Sequence, residues 1–183
     1  MSTAPTARWR VVDVDGVRQV YDAVFAEVYR YAARLAGPDR QLAEDLVQEV
    51  FVELAQRVGR GEQPEVSVGW FVTAVRHRFI DQLRRRASER SRFGRTMDAP
   101  SASDEQSGAE LLSGLTDVER LALVMHHVDG CPVREVAAAI GRSRRATESV
   151  LARDRRELPR PAAGVRAPGV RRARRRCEVD RGR

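Results

Sequence analysis

Apolar residues recur every three or four positions through residues 14–90, which is the spacing of one buried helix face. The first run ends at Gly37-Pro38 and consists of Val17, Val20, Val24, Val28 and Leu35. Asp39 is then placed to cap a second helix. The apolar positions of that helix lie four residues apart, at Leu42, Leu46, Val50 and Leu54.

A third helix is predicted over Trp70–Arg86, after a loop at residues 59–69. At the helical period, one half of this helix is apolar apart from Arg76 and Gln82: Phe71, Val72, Val75, Phe79, Ile80 and Leu83. The other half is polar and basic: Trp70, Thr73, His77, Arg78, Asp81, Arg84 and Arg85. A tryptophan on a basic face suits single-stranded nucleic acid, because aromatic rings stack on unpaired bases while arginines follow the backbone. The alternative is that Trp70 packs against the preceding helix.

The second half of the chain predicts a helix-turn-helix. Thr116-Asp-Val-Glu119 has the sequence of a capping box and opens a helix that runs to about Val128. A short helix follows from Pro132 through Ile140, Gly141 makes the turn, and Ser143 caps a last helix. Two helices joined by a tight glycine-containing turn, here spanning Val133 to Leu158, form the arrangement that places a helix on duplex DNA.

The fold class that follows is all-α, with two small helical domains joined by a flexible linker and a helix-turn-helix in the second. The linker is rich in Ser, Ala, Gly and Asp, whereas the C-terminal tail is rich in Pro, Gly and Arg and contains the run RRARRR. The boundaries expected are a flexible N-terminus at 1–13, a first domain at 14–90, the linker at 91–109, a second domain at 110–159 and a disordered tail at 160–183.

The charge indicates an anionic partner. The 183 residues carry a formal net charge of +7, and all 33 basic residues are arginine. The planar guanidinium fork of arginine matches phosphates and guanine edges. The sequence has no apolar run of membrane-spanning length and no secretory signal at its N-terminus, so a cytoplasmic location is expected.

Arginines open the last helix, at Arg144 and Arg145. Cations near a helix N-terminus oppose the macrodipole by about 0.3–1 kcal/mol each, so a purely structural helix gains nothing from them. A helix that presents this end to DNA does gain, and Arg153 and Arg156 extend the same basic character. A merely solvated face is the alternative.

Enzymatic patterns are missing from the sequence: it has no nucleophile elbow, phosphate-binding loop or HExxH motif. His126, His127 and Cys131 fall short of a metal site in ligand number and spacing. The sequence therefore predicts a protein that is not an enzyme and that has no cofactor and no metal.

Together these segments resemble the sigma-70 family, and specifically its compact extracytoplasmic-function (ECF) sigma factors, from about Val20 to Leu158. Ala43–Phe51 resembles the helix that binds core RNA polymerase, and Trp70–Arg86 resembles the helix that melts and reads the promoter −10 element. Residues 59–69 resemble the loop that captures a flipped base. Glu135-Val-Ala137, Ile140-Gly141 and the last helix resemble the module that reads the −35 element.

The resemblance implies region 2 at 14–90, region 4 at 110–159 and three sets of contact residues. The core-polymerase set is Glu44, Asp45, Gln48, Glu49 and Phe51. The −10 set is Trp70, Arg76, His77, Arg78, Asp81, Arg84 and Arg85. The −35 set is Arg144, Arg145, Glu148, Ser149, Arg153 and Arg156. The implied partners are core RNA polymerase, promoter DNA as duplex and melted strand, and an anti-sigma factor.

Two departures from the family pattern affect the DNA contacts. His77 stands where asparagine is most common, and Ala146-Thr-Glu-Ser-Val-Leu151 replaces the usual Thr-Val-Lys-Ser-Arg-Leu run. Glu148 weakens phosphate attraction there but can accept a hydrogen bond from a cytosine amino group. Two other functions stay open: a stand-alone regulator that binds operator DNA without polymerase, and a nucleic-acid-coating protein driven by the arginine tail.

Overall fold

The computed structural model describes residues 7–93 and 115–157, and the chain divides into two compact units, Met1–Ser113 and Gly114–Arg183. Both units are mainly helical, and the second contains a helix-turn-helix, which confirms the fold class. The predicted linker at 91–109 lies outside the described residues except for its first three positions, which belong to the third helix, and the predicted tail at 160–183 lies wholly outside them. No helix in the described part is both long and apolar enough to cross a membrane.

Unit 1 is built on three helices, α1 (Val14–Ala36), α2 (Arg40–Gly59) and α3 (Val68–Phe93). Asp13 caps the start of α1, and its carboxylate accepts a hydrogen bond from the Gly16 amide at 2.8 Å. The Asp39 carboxylate accepts from the Leu42 amide at 2.9 Å, which confirms the predicted cap of α2. α3 begins two residues earlier and ends seven residues later than the predicted Trp70–Arg86 helix.

Most of the predicted apolar stripe of each helix forms the core of unit 1, whereas Val17, Val72 and Leu83 of those stripes are only half-buried. α1 contributes Val20, Val24, Val28 and Leu35, α2 contributes Leu42, Leu46, Val50 and Leu54, and α3 contributes Phe71, Val75, Phe79 and Ile80. Each of these side chains is less than a tenth exposed. Burying a side chain of this size contributes about 1.5–3 kcal/mol, so these stripes supply most of the stability of the bundle.

A two-stranded antiparallel sheet lies at one end of unit 1 and was not predicted. β1 (Arg8–Arg10) pairs with β2 (Glu65–Ser67), and the Val11 amide donates to the Pro64 carbonyl at 3.0 Å. Residues 8–13, which the sequence assigned to a flexible N-terminus, therefore carry a strand, a fully buried Val11 and the α1 cap. Alternation over three residues is too short for the sequence pattern to identify as a strand.

Unit 2 contains α4 (Asp117–Leu123), which continues as one π-helical turn (Val124–Val128), then α5 (Val133–Ile140) and α6 (Arg144–Glu157). Both halves of the predicted capping box form: the Glu119 amide donates to Thr116 Oγ1 at 3.3 Å, and the Thr116 amide donates to Glu119 Oε2 at 3.0 Å. Gly141 has a left-handed backbone, with φ of 65°, which lets the chain turn from α5 into α6.

Candidate polymerase and nucleic-acid interfaces

The exposed face of α2 carries four of the five residues predicted to contact core polymerase: Glu44, Asp45, Gln48 and Glu49. α2 positions them because its other face is anchored by the apolar stripe. Val52 continues this surface and is 47% exposed. The acidic-amide face of α2, defined by these five residues, thus combines an exposed apolar side chain with carboxylates, a composition suited to a protein partner with a basic rim.

Phe51, the fifth predicted contact, lies in the core instead. It is 7% exposed, and its ring centroid lies 4.8 Å from those of Tyr21 and Phe71. The helical period explains why Phe51 is buried. It follows the buried Val47 by four residues, so it belongs to the same side of α2. Phe51 therefore holds α2 against α1 and α3 and does not present its ring to a partner.

The predicted −10 residues of α3 separate into two rows. Trp70, His77 and Arg84 are seven residues apart, so they follow one line that drifts about 20° per seven residues. Trp70 and His77 are half-buried and Arg84 is exposed. The Trp70 ring meets Phe71 edge to face at 4.9 Å, so packing and an exposed surface coexist at this tryptophan.

The second row, Arg78, Asp81 and Arg85, faces α2 across a cleft of about 610 Å³. The opposite wall includes Asp45, Glu49, Val52, Glu53 and Gln56. Arg78 Nη2 lies 2.6 Å from Glu53 Oε2, and Arg78 Nε lies 3.9 Å from Glu49 Oε2. Two of the predicted polymerase residues therefore share a cleft with three of the predicted −10 residues, and Arg78 is partly neutralised by the carboxylates opposite it.

Arg76 is 6% exposed, which removes it from the surface predicted to touch DNA. The helical wheel placed it in the apolar half of α3, and the structure keeps it there with polar contacts of its own. A buried guanidinium has to be hydrogen-bonded or paired, so these contacts keep Arg76 in the interior of the unit. It is not available to a phosphate.

The loop before α3 is held by an arginine clamp. Arg57 Nε donates to Glu62 Oε2 at 2.7 Å, and Arg60 donates to Glu62 Oε1 from Nε at 3.2 Å and from Nη2 at 3.1 Å. The Arg57 hydrogen bond, followed by that of Arg60, lowers the pKa of the Glu62 carboxyl below its usual value. Arg57, Arg60 and Glu62 together form what we call the Glu62 clamp. Gly61, with φ of 82°, allows the chain to turn between Arg60 and Glu62.

α6 presents a polar face and buries an apolar one. Arg144, Arg145, Glu148, Ser149 and Ala152 are exposed, whereas Thr147, Val150 and Leu151 are buried. Ser143 Oγ accepts from the Ala146 amide at 3.2 Å, as predicted for the cap. Arg153 and Arg156 lie within α6, but their side chains are outside the described part.

Three side chains on the α6 face already form hydrogen bonds within the helix: Arg144, Glu148 and Ser149. Arg144 Nε donates to Glu148 Oε1 at 2.8 Å, and Ser149 Oγ donates to the Arg145 carbonyl at 3.0 Å. Arg145 has no ion pair with the side chains of residues 115–152. In the same part of the chain and in residues 7–93, no three His, Cys, Asp or Glu side chains are grouped to hold a metal ion.

Sequence comparisons match both units to known regions. Residues 19–89 match Sigma-70 region 2, and residues 109–158 match Sigma-70, region 4. The ECF RNA polymerase sigma factor SigE of Mycolicibacterium smegmatis is 30% identical over 144 residues, covering 72% of this chain and 55% of that protein. The ECF RNA polymerase sigma factor SigK of Mycolicibacterium vanbaalenii is 30% identical over 140 residues, covering 68% and 70% respectively.

The comparison with solved structures found the sigma factor RpoE of Bartonella quintana, which was crystallised with the anti-sigma factor NepR. It is 22% identical, with a TM-score of 0.49, and the similarity covers 79% of this chain and 94% of RpoE.

Proposed function

The chain belongs to the sigma-70 family, among its ECF sigma factors, and we propose from this that it binds core RNA polymerase and directs it to specific promoters. Unit 1 would bind the polymerase and the −10 element, and unit 2 would bind the −35 element. The protein would use binding energy to open DNA, with no covalent step. Its location would be the cytoplasm, where its polymerase partner works.

The observation that carries the proposal is that one chain joins a region 2 bundle with an exposed acidic-amide face to a region 4 helix-turn-helix with an exposed polar recognition helix. A stand-alone regulator needs only the second. Glu44, Asp45, Gln48 and Glu49 would dock on a basic polymerase surface through carboxylate and amide groups, and Phe51 would position them. Charged residues around an exposed apolar side chain favour fast, specific association.

For the −10 element, we propose that Trp70, His77 and Arg84 contact the melted strand and that Arg78, Asp81 and Arg85 contribute from the cleft. Base stacking on the Trp70 ring contributes about 1–3 kcal/mol in surfaces of this kind. The loop at residues 59–69, held by the Glu62 clamp, would receive a flipped base. Because Arg76 is buried, it would act only through the fold.

For the −35 element, the exposed face of α6 would enter the major groove. Arg145 would contact phosphate or guanine. Glu148 and Ser149 would accept hydrogen bonds, and Arg144 would orient Glu148. Arg153 and Arg156 would also contact the −35 DNA, which we infer from their position in α6.

We also propose an anti-sigma factor that holds the free protein, and this part of the proposal is supported by family membership alone. Co-purification with the product of a neighbouring inhibitor gene tests it.

Run-off transcription with purified core polymerase on a genomic promoter library tests the proposed function. We expect initiation from a small set of promoters, and loss of polymerase binding when Asp45 and Glu49 are changed to Arg. A protein that binds no core enzyme and initiates at no promoter, yet protects a duplex operator, is the stand-alone regulator. If deleting residues 161–183 abolishes all DNA binding, the nucleic-acid-coating alternative is correct instead.

A further inference from the structure

The β1–β2 sheet places two arginines beside the start of α3. In the antiparallel register, Arg8 lies opposite Ser67, Trp9 opposite Val66 and Arg10 opposite Glu65. Val66 is 1% exposed and Trp9 is half-buried, so this side of the sheet faces the core. Because successive side chains of a strand point to opposite sides, Arg8 and Arg10 share the outer side, and both are exposed.

The outer side of the sheet is joined to the start of α3 close to Trp70. Ser67 ends β2, α3 starts at the next residue, and Ser67 Oγ accepts a hydrogen bond from the Trp70 amide at 3.3 Å. The residue opposite Ser67 in the sheet is Arg8. A strand of nucleic acid that stacks on Trp70 and continues toward the loop would therefore meet the outer side of the sheet.

The cations of this side are open to a ligand to different degrees. Arg57 lies at the end of α2 and Arg60 lies in the loop that follows, and both form ion pairs with Glu62. Arg8 reaches Glu65 only at 3.9 Å, and both side chains are 64% exposed, so this ion pair contributes little. Arg10 has no ion pair within residues 7–93. Of these four arginines, Arg8 and Arg10 can therefore bind a phosphate with the smallest loss of existing ion pairs.

We propose that Arg8 and Arg10 bind the phosphate backbone of single-stranded DNA next to the strand that contacts Trp70, and so extend the −10 interface onto the N-terminal strand. Their spacing along the strand, about 6.6 Å for two residues, is of the same order as that of neighbouring phosphates in an extended single strand. Guanidinium groups bind phosphate through paired N–H donors. The proposal rests on the proposed function, because it uses the Trp70 surface as its anchor.

Charged side chains on an exposed edge strand have another explanation, since they also prevent pairing with other chains. That explanation predicts self-association on their removal and no effect on DNA. The two explanations therefore differ in what a charge-removing variant does.

The test measures fluorescence anisotropy of the full chain with a fluorescein-labelled single strand of about 15 nucleotides, a length within the usual site sizes. Binding is followed as a function of salt. Each phosphate contact on a single strand contributes about 0.7 to the slope of log K against log salt. Arg8→Gln/Arg10→Gln should lower that slope by about 1.4, and should weaken binding about 25-fold at 0.1 M salt if the affinities converge at 1 M.

Two matched variants make the result specific. Arg30→Gln/Arg34→Gln removes the same charge from exposed positions near the other end of α1 and should leave the slope within about 0.3 of wild type. Arg8→Lys/Arg10→Lys keeps the charge and should restore most of the slope. Thermal unfolding should be the same for all variants, because the altered side chains are exposed.

Failure of this site is distinguishable from failure of the proposed function. If Trp70→Ala weakens oligonucleotide binding but Arg8→Gln/Arg10→Gln does not, the proposal for Arg8 and Arg10 is wrong and the proposed −10 interface on α3 stands. If the Arg30/Arg34 control loses as much slope as the Arg8/Arg10 pair, the effect is net charge alone and the site is also overturned. Pull-down of core polymerase tests the proposed function separately, because Arg8→Gln/Arg10→Gln should not change it.

Discussion

Arg78 of α3 donates from Nη2 to Glu53 of α2 across 2.6 Å, and each side chain is 38% exposed. The pair joins the acidic wall of the cleft to the helix proposed to hold melted DNA. A phosphate and a basic polymerase surface would each compete for one member of it. At this exposure the pair contributes at most about 1 kcal/mol, so either ligand can separate it.

Glu53→Gln should therefore free Arg78 and raise the affinity for a single-stranded oligonucleotide about two- to fivefold, which corresponds to the energy of an exposed ion pair. Fluorescence anisotropy at low salt measures the change. Glu44→Gln, an equal charge change elsewhere on the exposed side of α2, is the control. Equal gains from both variants would mean that only net charge matters.

Trp70→Ala should weaken binding of the single strand by about 1–3 kcal/mol through loss of stacking, and leave binding to core polymerase unchanged. Trp70→Phe should retain part of the affinity. Because Trp70 also packs on Phe71, chemical denaturation has to accompany the anisotropy measurement. A loss of stability with unchanged oligonucleotide affinity would show that this tryptophan is purely structural.

Phe51→Ala should destabilise unit 1 by about 3–5 kcal/mol, as expected for removing a buried aromatic ring. Phe51→Leu should cost less and keep polymerase binding at the temperature where it remains folded. Glu49→Gln should do the reverse, weakening polymerase pull-down while the free energy of unfolding stays within about 0.5 kcal/mol of wild type. If Phe51→Leu abolished pull-down without loss of stability, Phe51 would have to be a direct contact.

Arg145→Ala should weaken binding to a −35 duplex by about 1–3 kcal/mol if it reads a base, or lower the salt slope by about 0.9 if it contacts a phosphate. Arg144→Ala should do less, because this side chain is paired with Glu148. Arg153→Ala should also weaken −35 recognition and leave polymerase binding intact. Electrophoretic mobility shifts over a salt series measure all three, and equal loss of polymerase binding would contradict the assignment.

The Glu62 clamp should loosen in acid. The pKa of the Glu62 carboxyl is lowered in the folded protein. The contribution of this carboxylate to stability is therefore present above the usual pKa of 4.5 and is lost as the pH falls through the folded-state pKa. Amide hydrogen exchange at Gly61 and Glu62 should accelerate over that range, after correction for intrinsic rates. Glu62→Gln should exchange faster already at neutral pH and lose the acid dependence, whereas a loop that behaves alike in both proteins would not depend on the clamp.

The sequence determined the helices, their caps and the order of the modules, because these depend on local periodicity and on side chains within four residues of each other. The stripes from Val20 to Leu54, the Asp39 cap, the Thr116–Glu119 box and the Gly141 turn are all of this kind. Only the tertiary structure decided the rest. Spacing puts Phe51 and Arg76 on the apolar sides of their helices, but how deeply they are buried depends on what the neighbouring elements cover. The pairing of Arg78 with Glu53 and of Arg8–Arg10 with Glu65–Ser67 joins positions on different elements, whose separation no periodicity encodes.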